Sequence, residues 1–334
     1  MGRTVLGKDR FVLACIPSNI SCVSSRGPPS CPLFDTAKLS WPGNLSESII
    51  SNFQNGFNLN YKYHRIIFIH VSKTGGRAFE EITLRLPHVK LTKQPITLDY
   101  MRSKMPNENV EVVTYHVNSK SSAQDLIATL TDYKRELAMR GVALWLTMAF
   151  RKPIDHFISQ FRWHLKMFTR QPKRFGVVGN RLRCQHYFLS TLLNFLYTYP
   201  CGGFSPQSSW LLDFRDGILW QQTDFMLFEK KDVLLKLFHM IDFPFIFENF
   251  TDDLRFFFIK GLSMNNSHFV QRLPKQNINC GNLAEIRTGK ELQAKCPLAR
   301  LEIGNRIRFD EQIYSDLSKA EQFLRNEFRF ASAR

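Results

Sequence analysis

The residues best suited to chemistry are cations placed where a helix begins. Ser72-Lys73-Thr74-Gly75-Gly76-Arg77 joins an apolar run to an amphipathic stretch. Glycines let successive backbone N–H groups wrap an anion, the following helix adds the positive end of its dipole, and the lysine supplies a point charge, so this turn suits a phosphate group. The plainer reading is an ordinary strand-to-helix turn. It is not a Walker A loop, because GxxxxGK[ST] is absent and the lysine precedes the glycines. A second segment has the same design: Arg151 directly follows another apolar run, and Ser159 lies eight residues later. Two helical turns can aim both side chains at one oxyanion.

These residues need elements to hold them. Arg65 to Val71 is a continuous apolar run of strand length, and Ala78, Phe79, Ile82 and Leu86 mark one face of the helix after the turn. Glu111 to Val117 reads as a second strand, followed by a helix with Leu126, Ile127, Leu130, Tyr133 and Leu137 on one face. Ala143 to Phe150 reads as a third strand, apolar throughout, as a sheet covered on both faces requires. Pro153 then opens a helix through Ile154, Phe157, Ile158, Phe161, Leu165 and Phe168. A fourth strand is expected at Asp224 to Phe228, a helix at Asp232 to Met240, and a last helix at Phe309 to Phe328. Strand and helix alternate, which predicts an α/β fold with a mainly parallel sheet flanked by helices. Residues 1 to 60 are rich in Ser, Pro, Gly and Asn and read as a flexible tail or stem, leaving 61 to 334 as the folded domain.

Composition narrows the partners. With 334 residues, 44% hydrophobic and 22% charged, the chain falls in the globular range. Its 45 basic and 29 acidic residues leave a formal charge of +16, which favours polyanions: nucleic acid, acidic membrane or an anionic polysaccharide. Membrane insertion needs about 18 consecutive apolar residues, and no such run exists. The N-terminal run Phe11 to Ile16 stops at Pro17, too short for an export signal. Seven cysteines include no CxxC pair, which argues against zinc, and their odd number leaves at least one unpaired within the chain. Sequons begin at Asn19, Asn44, Asn249 and Asn265, close to the number chance supplies.

Taken together, FIHVSKTGGRAF and LTMAFRKPIDHFISQF resemble the two signatures of the Golgi carbohydrate sulfotransferases, which use PAPS (3′-phosphoadenosine-5′-phosphosulfate). Within that class the chain is most similar to the uronyl and heparan sulfate 2-O-sulfotransferases. The TYHV around His116, the PCGG at Cys201, the LFEKKDVLLKLF run and the Tyr314 to Phe323 helix follow in matching order. The resemblance spans about Tyr61 to Phe328, more thinly outside the two signatures. It implies a P-loop-like sulfotransferase fold in which Lys73, Thr74, Gly75, Gly76, Arg77 and Ala78 cradle the 5′-phosphosulfate, while Arg151 and Ser159 grip the 3′-phosphate. Three positions depart from the wider class, which usually has Pro at Ser72 and Ser or Thr at one or both of Arg77 and Ala78.

Sulfuryl transfer to a sugar hydroxyl resembles phosphoryl transfer, in which positioning and charge stabilisation dominate, and the hydroxyl needs a base. His116, at the carboxyl end of the second strand, is the leading candidate. His70 reads as a core position, and His88 and His156 as surface residues. Lys73 is assigned to charge on the departing nucleotide, and no metal is required. No Asp or Glu occurs from His156 to Leu212, and Arg162, Lys166, Arg170, Lys173 and Arg174 make this stretch the expected acceptor rim. A solvated basic face is the plainer alternative. Arg272 to Lys275 is a second basic segment that could help close over the nucleotide.

The resemblance also suggests local disulfides, for which Cys184 with Cys201 and Cys280 with Cys296 are the available pairs; free buried thiols are the alternative. The implied acceptor is a heparan, chondroitin or dermatan type chain, with no nucleic acid partner, and self-association is left open. The implied location is the Golgi lumen. The family's N-terminal anchor is not evident in this sequence, which suggests a truncated, alternatively started or processed form. Competing readings are a non-catalytic polyanion-binding relative and a P-loop nucleotide kinase.

Overall fold

The three apolar runs become adjacent parallel strands. In the computed structural model, which describes residues 44–57, 61–71, 73–92, 109–115, 123–170, 232–264 and 286–330, β1 is Tyr63–Ile69, β3 is Val110–Tyr115 and β4 is Val142–Phe150. Each is rich in β-branched or large apolar residues, and β3 and β4 are buried along their whole length. Two short strands complete the sheet, β2 (Val89–Thr92) and β5 (Phe243–Ile246). The order is β2-β3-β1-β4-β5, with every pairing parallel. The protein is therefore α/β, with helices connecting the strands.

Neither short strand is legible in the hydrophobic pattern. β5 carries Pro244, which lacks an amide donor and is tolerated because, among the described residues, β5 pairs on one side only. The strand expected at Asp224 to Phe228 lies outside the described residues. The expected helices form as α2 (Gly76–Thr83), α3 (Ala123–Met139), α4 (Pro153–Arg170) and α5 (residues 232–239). After β5 come α6 (Phe250–Phe256), α7 (Gly289–Lys295), α8 (Pro297–Arg306) and the long α9 (Arg308–Phe330). Helix α7 opens on a capping box: the Glu291 N–H donates to Thr288 Oγ1 and the Thr288 N–H to the Glu291 carboxylate.

The boundary expected near residue 60 is corrected. Leu45–Phe57 forms helix α1, and Leu45, Ile49 and Phe53 on one of its faces are fully buried. The Phe53 ring lies 5.7 Å from Trp145 of β4, 5.5 Å from Phe243 of β5 and 5.4 Å from Phe328 of α9. The stretch looks tail-like because only every third or fourth residue is apolar, the pattern of an amphipathic helix with a narrow buried stripe. Part of the chain's large phenylalanine complement forms this core.

One ion pair lies inside the core. Arg65 on β1 and Glu111 on β3 are register partners, joined by bonds of 2.6 and 2.9 Å to one carboxylate oxygen, and Arg65 also donates to the Tyr133 hydroxyl from α3. Buried charge is tolerated here because each partner is hydrogen-bonded. Helix α4 belongs to a second apolar cluster. Its Ile154, Phe157, Ile158 and Phe161 pack with Ile286, Leu292, Cys296, Ala299, Ile303 and Ile307.

Candidate functional site

Topology brings the two cationic segments together. The chain leaves β1 toward β2 and β3 on one side, then returns through α3 to β4 on the other, so β1 and β4 are neighbours whose outgoing connections diverge. In an open parallel sheet such a switch point leaves a crevice beyond the carboxyl ends of the strands. The turn at Lys73 follows β1, and Arg151 follows β4, in a register that pairs Ile69 with Met148. Both segments therefore emerge at the same edge of the sheet.

The turn has a specific backbone. Lys73 has φ 68° and Gly75 φ 103°, both left-handed. The second is natural for glycine, and the first is uncommon for a residue with a Cβ. Thr74 is fully buried and its hydroxyl donates to the Val71 carbonyl at 2.9 Å, so this side chain ties the turn together. The Phe79 N–H donates to the Gly75 carbonyl at 3.0 Å, and the Phe79 ring stacks on Phe68 of β1 with centroids 3.9 Å apart. That stacking fixes helix α2 to the strand immediately beyond the turn. Gly75, at the N-cap, provides no side-chain cap, and Gly76, Arg77 and Ala78 carry the first-turn N–H groups. Arg77 is exposed, whereas Ala78 is buried against the core. Ser72 lies outside the described residues.

Arg151 is partly buried, and its guanidinium carbon lies 4.7 Å from the centroid of the Phe247 ring. Burial lowers its pKa, Asp155 and Glu248 counter that, and the nearby positive charge of Arg162 adds to the lowering. Arginine nonetheless stays protonated. Phe247 also faces the turn: a Cβ on Gly75 would lie 2.9 Å from Phe247 Cδ2. The next residue, Glu248, accepts from the Lys152 N–H at 3.0 Å and from the Tyr314 hydroxyl at 2.9 Å. Burial, then the adjacent Glu248 charge, raises the Tyr314 pKa and keeps it a donor. Asp155, on the first turn of α4, accepts from the Gly289 N–H at 2.7 Å and joins α4 to α7. Ser159 is partly buried on α4, and Arg162 lies on the same helix.

His116 lies outside the described residues. Strand β3 ends at Tyr115, whose carbonyl accepts from the His70 N–H at 2.9 Å. His70 itself is partly buried, with its ring against Gly76 at the start of α2. His88 is exposed, as expected, but His156 is fully buried and the surface assignment is corrected. Helix α4 packs into an apolar cluster with residues of α7 and α8, cover that its own sequence does not announce. Lys166 and Arg170 lie along α4. Lys173, Arg174 and the 272–275 segment lie outside the described residues.

Cys296 is buried and disulfide-bonded. All the other cysteines, Cys184, Cys201 and Cys280 among them, lie outside the described residues, so the pairs expected for them are not seen. Among the described residues no group of three or more His, Cys, Asp or Glu is arranged to hold a metal ion, and no helix is long and apolar enough to cross a membrane.

Phe247 and Glu248 escape sequence reasoning because they follow a four-residue strand interrupted by proline. The only local signal is the short apolar run FPFIF. No family model, curated protein or solved structure matches this chain.

Proposed function

We propose that the protein is a PAPS-dependent carbohydrate O-sulfotransferase acting on a glycosaminoglycan, at the 2-position of a uronic acid. The observation that carries this reading is the emergence of the Lys73 turn and Arg151 from neighbouring parallel strands at one sheet edge, with Phe247 between them. A doubly phosphorylated nucleotide needs two such anion-binding elements. What supports a phosphate at this turn is left-handed Gly75 at a helix start that has no side-chain cap, which leaves the first-turn N–H groups without a capping side chain. The turn also departs from the expected set: Thr74 contributes its backbone, since its hydroxyl is bonded to Val71, and Ala78 supplies only an N–H.

When bound, PAPS supplies the sulfuryl group and a stable bisphosphate leaving group. In this reading Lys73 and the first-turn N–H groups hold the phosphosulfate end and neutralise charge there. Arg151 and Ser159 hold the 3′-phosphate. His116 takes the proton from the acceptor hydroxyl, and Arg162 with the basic residues that follow holds the carboxylates or sulfates of the polymer. The disulfide at Cys296 supports an oxidising compartment such as the Golgi lumen.

Purified protein incubated with sulfur-labelled PAPS and heparosan, chondroitin or dermatan is expected to yield labelled polymer, with the disaccharide composition identifying the sulfated position. PAPS binding without transfer to any of the three would favour a non-catalytic polyanion binder. Preference for ATP with magnesium over adenosine 3′,5′-bisphosphate would favour a kinase.

A further inference from the structure

Phe247 belongs to neither cationic segment, yet it touches both. Gly75 comes from the connection after β1 and Arg151 from the connection after β4, and the ring between them is 4.7 Å from the guanidinium carbon and closely packed over Gly75. The ring is held from both sides in sequence. Ile246 is anchored by its N–H to Asp253 at 2.7 Å, and Glu248 is bonded to Lys152 and Tyr314. Phe250 adds a tilted ring contact at 6.4 Å.

We infer that Phe247 is a positioning residue that stacks on Arg151 and covers Gly75, setting both anion-binding elements in one arrangement before any anion arrives. The inference rests on the proposed nucleotide site and names the residue that preorganises it. A long arginine side chain loses substantial rotamer freedom when it grips a phosphate, and a stacked guanidinium has lost part of that freedom already. Stacking also directs the N–H donors along the guanidinium plane and removes water from one face, which strengthens its pull on an anion. The same ring over Gly75 excludes any side chain there and holds the turn in its left-handed conformation.

The test is calorimetric titration of the full chain with adenosine 3′,5′-bisphosphate and, separately, with inorganic pyrophosphate. Phe247→Leu is expected to weaken binding of both by about 5- to 30-fold, the range of a partly desolvated cation–π contact. Phe247→Tyr, which keeps the ring, is expected to stay within about twofold of the parent. In an Arg151→Ala background the Leu substitution is expected to cost less than it does in the parent, because the guanidinium contact is already gone and only the cover over Gly75 is lost. Parent-like binding by Phe247→Leu, or an undiminished penalty in the Arg151→Ala background, would overturn the inference. Should Phe247→Leu not fold, Phe247→Met answers the same question. A parent protein that binds pyrophosphate but not the bisphosphate sinks the nucleotide reading alone, and the pyrophosphate series still decides the role of Phe247. Binding of neither sinks both.

Discussion

The His70 imidazole occupies the space that a Cβ on Gly76 would need. Gly76 is the first residue of α2, so the close approach lies at the N-terminal end of that helix. Any side chain at 76 must displace either the ring or the turn. Gly76→Ala is expected to destabilise the protein by about 1 to 3 kcal/mol, the usual cost of overpacking, read as a lowered midpoint in denaturant. His70→Ala in the same chain should recover most of that loss. If the double variant is no more stable than the Gly76→Ala single, the steric account fails.

Removing charge from either cationic segment should weaken nucleotide binding while leaving the fold intact. Lys73→Ala and Arg151→Ala are each expected to weaken adenosine 3′,5′-bisphosphate binding by about 10- to 150-fold, corresponding to one charge-assisted hydrogen bond. Circular dichroism should be unchanged.

A base acts on turnover rather than on affinity. His116→Ala is expected to lower the transfer rate by about 10² to 10⁴ with bisphosphate affinity kept. Steady-state rates paired with calorimetry separate the two, and an unchanged rate would remove His116 from the mechanism.

Helix α1 is a structural element of the domain. Phe53→Ala should cost about 3 to 5 kcal/mol through lost burial and the cavity left among Trp145, Phe243 and Phe328. A chain starting at residue 61 should be markedly less stable than one starting at residue 44, by thermal melting. Equal melting temperatures would contradict the packing of α1.

Alkali should weaken the attachment of α9. Asp253 on α6 is buried and accepts from Ile246 and Arg325, while Arg325 also binds Glu321 of α9. Burial, then the hydrogen bond and charge of Glu321, push Asp253 up from 3.8 to about 9, against the pull of the Ile246 N–H and Arg325. The folded protein therefore retains a proton that the unfolded chain releases near pH 4. This contribution is fully present below that value and is lost as pH rises toward about 9. Asp253→Asn abolishes the titration, so its stability relative to the parent should improve steadily from pH 5 to pH 9 in urea unfolding. A pH-independent difference would contradict the retained proton.

Much of this architecture can be read from one dimension. The runs at 65–71, 111–117 and 143–150 identify themselves as covered strands because burial on both faces demands mostly apolar character without polar alternation. The glycine turn and Pro153 announce helix starts through local backbone chemistry. Such signals are carried by neighbouring residues, so the α/β class and both cationic segments are legible without coordinates. Which residues meet across the chain emerges only on folding. The sheet order sets β1 beside β4, and β5 delivers Phe247 between Gly75 and Arg151. Tertiary packing buries His156, and a helix whose apolar stripe is one residue in four closes the core with Phe53. Those outcomes depend on contacts between residues distant in sequence, where periodicity carries no information.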